Sequence, residues 1–480
     1  MKKINLTTTL IFLFAALNLN SATHTVTNGN DAGAGSLRQA VFDANSGDTI
    51  IFASNVSTVS LTSGQITIDK SLTINGKSKD EKTSIDGNKN YRIFNVPASN
   101  IEANLNNLII ENGKTDYRSG AIDIYGGNSN KVKITNCIFR NNEGFSGGAI
   151  LIAASEVVAV NCVFEQSNDA VISIHPAASF TAINSIFYGN NAAVINYSSN
   201  SFIAVNSTFY KNKFDIWGTV SLVGNGCSFV AANCNFIENK SGSGAVYIHN
   251  DNKVANLYFS TFDKNEADGS DGHAIHSYGI NTLYSYNSIY TGSTEQIVGT
   301  ISGNGKNLIE NGTTVTRDSV FGNNEYENGY IRPLAFARSA TPLTKYDIEV
   351  PDGMNADDII TWLLTDQIGK NRIPDSNGFV TFGAVECDDV GIRKDGSFDV
   401  LVLPNPTDRD FNIIFDNPET QKVSIDLIDI EGKIIFSIFD GVVSAGIQVY
   451  RVNENLASSV YFVKFVFGNK VMLRKVVVRK

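Results

Sequence analysis

Asn136-Cys137-Ile138-Phe139 returns down the chain as Asn161-Cys162-Val163-Phe164, Asn184-Ser185-Ile186-Phe187, Asn206-Ser207-Thr208-Phe209, Asn233-Cys234-Asn235-Phe236 and Asn287-Ser288-Ile289-Tyr290. Phe259-Ser260-Thr261-Phe262 is a variant copy that keeps the last aromatic and loses the Asn. Successive copies start 25, 23, 22, 27, 26 and 28 residues apart. Self-similarity at a period of about 20–30 residues marks a solenoid, one coil stacked on the next. The repeats are rich in Val, Ile, Phe, Thr, Asn and Gly, lack a recurring leucine pattern, and carry short runs such as Ile150-Leu151-Ile152 that read as strands. A coil of two or three short strands, a parallel β-helix, explains the period. The recurring Asn suits a left-handed bend between strands. Asn side chains one coil apart, about 4.8 Å, can also form a hydrogen-bonded ladder. Phe139, Phe164, Phe187, Phe209, Phe236 and Phe262 are expected to stack inside the coil.

A second phrase lies between the aromatics. It places Ile122, Ile150, Val171, Val194, Val220, Val246 and Ile275 on an inward aliphatic ladder. Strand alternation then turns the first and third residues after each of these to the opposite face. The nearer row reads Asp123, Leu151, Ile172, Ile195, Ser221, Tyr247 and His276; the further row reads Tyr125, Ala153, Ile174, Tyr197, Val223, His249 and Tyr278. Of these, Tyr125, Tyr197, Tyr247, His249, His276 and Tyr278 are the candidate ligand-binding residues, because tyrosine rings stack on sugars while their hydroxyls hydrogen-bond. A partly buried face under a loop is the competing expectation. Asp123 falls several coils from the histidines, too far to act with them.

The chain has 480 residues, 40 Gly, 9 Pro, 18% charged residues and a net charge of −10. This suits an extended β protein and argues against nucleic acid and anionic membranes as partners. Lys2-Lys3 and the apolar run Leu10 to Leu17 read as a signal peptide over 1–22, cleaved after Ala22. That run is shorter than the ~20 residues of a membrane span. The five cysteines show no zinc-like spacing. Cys137 and Cys162 hold equivalent places on adjacent coils, so a disulfide between them is one expectation. A buried Cys/Ser ladder through Cys137, Cys162, Ser185, Ser207 and Cys234 is the preferred one. Cys227 and Cys234 are also close enough in sequence to pair.

Gly-Gly-Ala-Ile at 147–150 and the Phe-x-x-Asn pairs Phe139/Asn142, Phe187/Asn190, Phe209/Asn212, Phe236/Asn239 and Phe262/Asn265 resemble the repeats of chlamydial polymorphic outer-membrane proteins. Phe164 departs, with Ser167 in the Asn place. Gly35-Ser36-Leu37-Arg38-Gln39-Ala40 followed by Gly47-Asp48-Thr49-Ile50 resembles the opening of many right-handed parallel β-helix proteins. It reads as a short helix, with Ser36 and Gln39 as a capping box, covering the first coil. Asp366 to Arg372 and Phe382-Gly383-Ala384-Val385-Glu386 resemble the end of a bacterial β-helix family with variable C-terminal anchors. That resemblance covers residues 25–390 and implies fold rather than activity.

Composition changes near residue 388. Runs at 400–403, 411–415, 423–428, 434–438, 449–452, 460–466 and 471–478 then alternate like the strands of a β-sandwich. Leu403-Pro404-Asn405-Pro406, Asp429-Ile430-Glu431-Gly432-Lys433, Val460-Tyr461-Phe462-Val463-Lys464 and the basic end Arg474 to Lys480 resemble the sorting domain of the type IX (Por) secretion system of Bacteroidetes. Pro404, Asn405, Pro406, Gly432, Lys433 and Tyr461 carry that motif, while Ser459 stands where the family usually has Gly. The resemblance implies passage through the outer membrane by the type IX machinery, then release or surface attachment.

The expected architecture is therefore all-β: a signal peptide (1–22), a right-handed parallel β-helix with an N-terminal capping helix (23–390), and an Ig-like β-sandwich sorting domain (391–480). Polysaccharide enzymes and adhesins share such folds, and fold alone does not choose. The coils carry no paired carboxylates in hydrolase phrases, no clustered Asp with Arg for a calcium-dependent lyase, no metal motif and no nucleophile elbow. Asp271-Gly272-His273 is the nearest approach to one. No catalytic residue, metal or cofactor is expected. Binding or structural work at the cell surface, with a polysaccharide or surface partner, is the first expectation. A polysaccharide lyase or hydrolase with an unrecognised site is the second.

Overall fold

The computed structural model describes residues 21–197, then 201–302 apart from 250, 252, 269–271 and 294, then 306–310, 315, 317–321, 333, 340, 343, 355–367, 370–372, 380–385, 400–403, 411–417, 420–444, 446–454, 456–467 and 470–478. Residues 1–20 of the expected signal peptide, Pro404, Asn405, Pro406, Asp271, Glu386 and the linker near 388–396 lie outside these residues.

Three parallel sheets of twelve, eleven and ten strands run the length of a right-handed-type solenoid. Each coil visits them in turn. In the coil at the first repeat, Lys131–Thr135 lies in sheet 1 (twelve strands), Ile138–Arg140 in sheet 2 (eleven) and Ile150–Ile152 in sheet 3 (ten). The repeated Asn makes the corner between sheets 1 and 2. Asn107, Asn136, Asn161, Asn184, Asn206, Asn233 and Asn287 all adopt φ between 50 and 56°, the left-handed region Asn tolerates better than most residues. Their side chains bond along the helix axis, Asn136 to Asn107 at 3.3 Å, Asn161 to Asn136 at 3.2 Å and Asn233 to Asn206 at 3.2 Å.

The aromatic at the end of each phrase points inward, as expected. Phe139, Phe164, Phe187, Phe209, Phe236, Phe262 and Tyr290 form one column with centroids 4.6–4.9 Å apart. A shorter column from sheet 1, Phe180, Phe202 and Phe229, meets it edge-on. The Phe-x-x-Asn positions form a buried amide ladder. Asn190, Asn212 and Asn239 each donate from Nδ2 to the Oδ1 of the next at 2.9–3.0 Å, ending on Asn265. They also donate to the Phe carbonyl one coil back, while their Oδ1 atoms accept backbone N–H groups. Buried polar groups must be paired, and this ladder pairs the loop leaving sheet 2. Ser167 breaks the ladder where the sequence breaks it.

The Cys/Ser column is also a ladder. Cys137, Cys162, Ser185, Ser207 and Cys234 are buried, and the N–H of each coil donates to the Oγ of the next, Cys162 to Ser185 and Ser185 to Ser207, both at 3.2 Å. All four described cysteines are free, so neither Cys137–Cys162 nor Cys227–Cys234 is a disulfide. Burial pushes the Cys162 and Cys234 thiols up to about 12, so the reactive thiolate is scarce.

The helix Leu37–Asp43 covers the first coil with Leu37, Ala40 and Val41. Ser36 Oγ accepts the Gln39 N–H at 3.2 Å, but Gln39 Nε2 turns to Asp43 instead of back to residue 36. Half of the expected capping box is therefore present. Lys70 Nζ closes the other end on the carbonyls of Val41, Phe42 and Ala44, where a cation complements the helix dipole.

Residues 297–309 add the last strands to all three sheets. The described pieces of 315–385 then pack outside the solenoid. Phe321, Ile359, Leu363 and Phe382 join Val230, Ala232, Tyr258 and Tyr286 of sheet 1 in one apolar cluster. Arg372 is buried at the corner between sheets 1 and 2, donating to Asn233 Oδ1 at 3.0 Å and the Gly383 carbonyl at 2.7 Å. Its guanidinium lies 4.1 Å from the Phe259 ring centroid. This explains the variant repeat: the copy that loses its Asn supplies an aromatic for Arg372.

The C-terminal strands fall where the alternation placed them. Val400–Leu403, Phe411–Asn417 and Gly446–Val452 make a three-stranded antiparallel sheet; Gln421–Ile428, Ile434–Val443, Ser459–Phe467 and Lys470–Val478 make a four-stranded one. Ile413 and Phe415 of the first share a core with Ile425, Val463 and Phe465 of the second. Gly432 turns at φ 84°, and Asp429 Oδ1 accepts the N–H groups of Glu431 and Lys433 at 2.9 Å. The quoted Gly-Lys pair is thus a tight strand connection. Tyr461 Oη donates to the Ala457 carbonyl at 3.1 Å.

Candidate functional site

The outer face of sheet 3 carries the candidate row, and its strand register sets which residues align. Ile122 pairs with Ile150, Ile150 with Ile172, Ile172 with Val194, and onward to Val220, Val246 and Ile275. The sequence phasing therefore slips by one residue at a single coil. Ile172 and Ile174, not Val171, take the inward places, and Ser173 and His175 face out. A one-residue slip exchanges the two faces, and that is how His175 escaped the candidate set.

The nearer row is outward yet covered. Asp123, Leu151, Ser173, Ile195 and Ser221 are buried, and Tyr247 nearly so. The connections from sheet 2 back to sheet 3 fold over it: Phe214 and Trp217 pack with Ile195, Tyr197 and Val223. Gly218 permits this, since a Cβ there would lie 2.8 Å from Tyr247. The expectation of a face partly under loops describes this row.

The further row reaches solvent in two patches. Downstream, Tyr278 is 61% exposed and stacks on His249 at 6.1 Å, while Tyr247 contacts His249 at 5.4 Å and His276 at 5.5 Å. Four of the candidate residues thus form one cluster. Tyr197 lies apart, 5.1 Å from His175. Its phenol is pushed up by burial and by Asp169, and His175 is pushed down by burial and by Arg118. Tyr125 lies upstream, 41% exposed, with the Arg118 guanidinium 3.6 Å from its ring centroid.

Under Tyr125, Asp123 is held between Arg92 at 3.2 Å and Arg118 at 3.6 Å. Burial raises its pKa against the pull of both arginines. Six strand steps separate its coil from that of His276, so Asp123 and the histidines do not act together. His273 is used locally, its Nδ1 accepting the Ala267 N–H at 3.1 Å. Among the described residues no group of His, Cys, Asp or Glu is placed to hold a metal ion.

A coiled stack of three parallel sheets followed by a small antiparallel sandwich defines a parallel β-helix protein with an appended C-terminal module. The right handed beta helix region matches residues 120–294, and the secretion system C-terminal sorting domain matches residues 401–479. The chain is therefore handled by the type IX secretion machinery, with the cell surface or the exterior as its destination. No helix among the described residues is long and apolar enough to cross a membrane. A solved structure, ORF18 of Geobacillus virus E2, is similar at 13% identity and a TM-score of 0.31, over 54% of this chain and 61% of the viral one. The likeness thus spans less than two thirds of that chain. No curated protein matches.

Proposed function

We propose that the outer face of sheet 3 is a binding surface for an extended glycan on an exported protein. In this reading residues 1–22 direct export, 23–390 are the working β-helix, and 391–480 serve sorting. The observation that carries it is the aromatic row itself. Tyr125 and Tyr278 are exposed at its two ends, about 29 Å apart from six coil steps of about 4.8 Å. A linear chain laid along the helix axis can stack on both patches. Tyr and His with few charges suit sugar rings, which present apolar faces and hydroxyl edges. Among the described residues, the Arg92–Arg118–Asp123 group is a feature a polysaccharide lyase would share. Its carboxylate is 1% exposed, and a catalytic base must come within hydrogen-bond reach of the proton it takes.

Affinity electrophoresis of the protein through gels containing soluble polysaccharides tests the reading. Retardation by at least one polysaccharide, reduced in Tyr125→Ala and Tyr278→Ala, is expected. Equal mobility of wild type and both variants in every gel would overturn it.

A further inference from the structure

We propose that the patch around Arg118 selects acidic saccharides, taking the carboxylate of a uronate-type sugar on the guanidinium while the ring rests on flanking aromatics. This rests on the glycan-binding reading and adds a ligand class to it. Three features of the patch support it.

The first is charge. Asp123 lies between two guanidiniums, and one carboxylate neutralises one of them. Arg92 is the structural partner: its three guanidinium nitrogens reach the Ser119 carbonyl at 2.9 Å, Gln65 Oε1 at 2.9 Å and the Tyr117 carbonyl at 2.7 Å. Arg118 is held more loosely, 3.6 Å from the Asp123 carboxylate and with a long hydrogen bond to Tyr117 Oη at 3.4 Å. A guanidinium has five donors in a planar fork that matches a carboxylate, so the excess positive charge and the spare donors coincide on Arg118.

The second is presentation. The guanidinium is held over the Tyr125 ring at 3.6 Å and beside the Tyr117 ring at 4.9 Å. Stacking fixes the plane and leaves the edge free to bind. Arg118 itself sits at a left-handed corner, φ 66°, one of many in this solenoid.

The third is the aromatic surround. Tyr117 is 66% exposed and Phe145 78%. Phe145 sits on the connection whose next residue, Ser146, donates its N–H to the Arg118 carbonyl at 3.3 Å. Ser146 Oγ in turn meets His175 Nε2 at 3.3 Å, placing hydroxyl and imidazole groups beside the cation. A cation flanked by exposed rings suits an acidic sugar better than a free anion, which needs no stacking surface.

The test is calorimetric titration of the full chain with oligogalacturonate, with a neutral xylo-oligosaccharide of equal length, and with a poly-glutamate peptide. The acidic sugar is expected to bind on the order of tenfold more tightly than the neutral one, the gain of a charge-assisted bidentate pair, and the preference should shrink with added salt. Arg118→Asn, chosen because Asn tolerates the left-handed backbone, should remove the preference and leave neutral binding in place. Tyr117→Ala, on an exposed ring, should weaken acidic binding without touching the fold. Equal affinity for both sugars, or a preference that survives Arg118→Asn, overturns the inference and leaves glycan binding standing. Binding of neither sugar overturns both. Poly-glutamate binding as tightly as oligogalacturonate would reassign the patch to an acidic protein partner.

Discussion

Replacing Phe209 by Ala tests the inner stack at its middle. The ring is fully buried, faces Phe187 at 4.8 Å and Phe236 at 4.6 Å, and meets Phe202 edge-on at 6.3 Å. An aromatic of this kind buries roughly 150–250 Å², worth about 4–6 kcal/mol at ~25 cal/mol per Å². Alanine keeps part of that area, and buried Phe→Ala changes cost about 3–5 kcal/mol. Both faces carry a stacked partner, each pair adding about 0.5–1.5 kcal/mol beyond area, so the upper part of that range, about 4–5 kcal/mol, is expected. In a solenoid the loss strikes the coil and both its interfaces. Trp217 packs over the neighbouring sheet-3 coil, so its fluorescence in urea reports the opening. Phe42→Ala, at a ring 77% exposed, is the control and should stay within about 0.5 kcal/mol. A Phe209→Ala loss below about 1.5 kcal/mol would refute the stacked-core reasoning.

Three further outcomes follow from named contacts. Asp48 accepts hydrogen bonds from the Asn45 N–H, His24 and the Ala22 N–H, in that order of effect, which lowers its carboxyl from 3.8 to about 2. Because the folded pKa lies below the unfolded one, its contribution is complete above pH 3.8 and lost as pH falls towards 2. Hydrogen exchange in residues 23–52 should rise across that window in wild type, and Asp48→Asn should already show the raised rate at neutral pH. Arg372→Ala leaves the Asn233 Oδ1 and Gly383 carbonyl without their charged donor, costing about 3 kcal/mol; limited proteolysis should cut within 355–385 while the coils stay resistant. Deleting residues 398–480 should trap the protein in the periplasm, and undiminished surface or medium delivery on fractionation would refute the sorting role.

The repeat phrase made the coil legible because its residues do positional work: Asn for a left-handed corner, an aromatic for the column, a small polar residue for the ladder. The strands of the C-terminal sandwich were legible for a similar reason, since each alternates against one core. The phase at Ala170-Val171-Ile172 was not. Ala170 stands in the place of Gly148, and Val171 in that of Ala149, each accepting the N–H of its counterpart one coil back. The local letters look like the Ala-Val of other coils, and only strand pairing fixes the register. Arg118 was missed because its chemistry comes from Tyr125, Asp123 and Arg92 on other segments. The burial of the nearer row depends on loops packing across coils, to which strand alternation is blind. One sequence signal was available: glycines recur before the sheet-3 strands, and at Gly120 and Gly148 an added Cβ would strike backbone oxygen at 2.4 and 2.2 Å. The segment Asp366 to Arg372 was readable as a family-like ending but not as the segment that packs Arg372 on the coils, since nothing periodic in it announces Phe259 as a partner.

The measurement closest to the central claim is a paired one on the purified full chain. Retention by a panel of polysaccharides is read beside the appearance of new sugar ends in the same samples. The account predicts retention without new ends, and loss of retention when Tyr125 and Tyr278 are both replaced by Ala in a folded protein. New sugar ends would contradict it and make the protein a polysaccharide-cleaving enzyme; retention unchanged in the double variant would place the binding surface away from sheet 3.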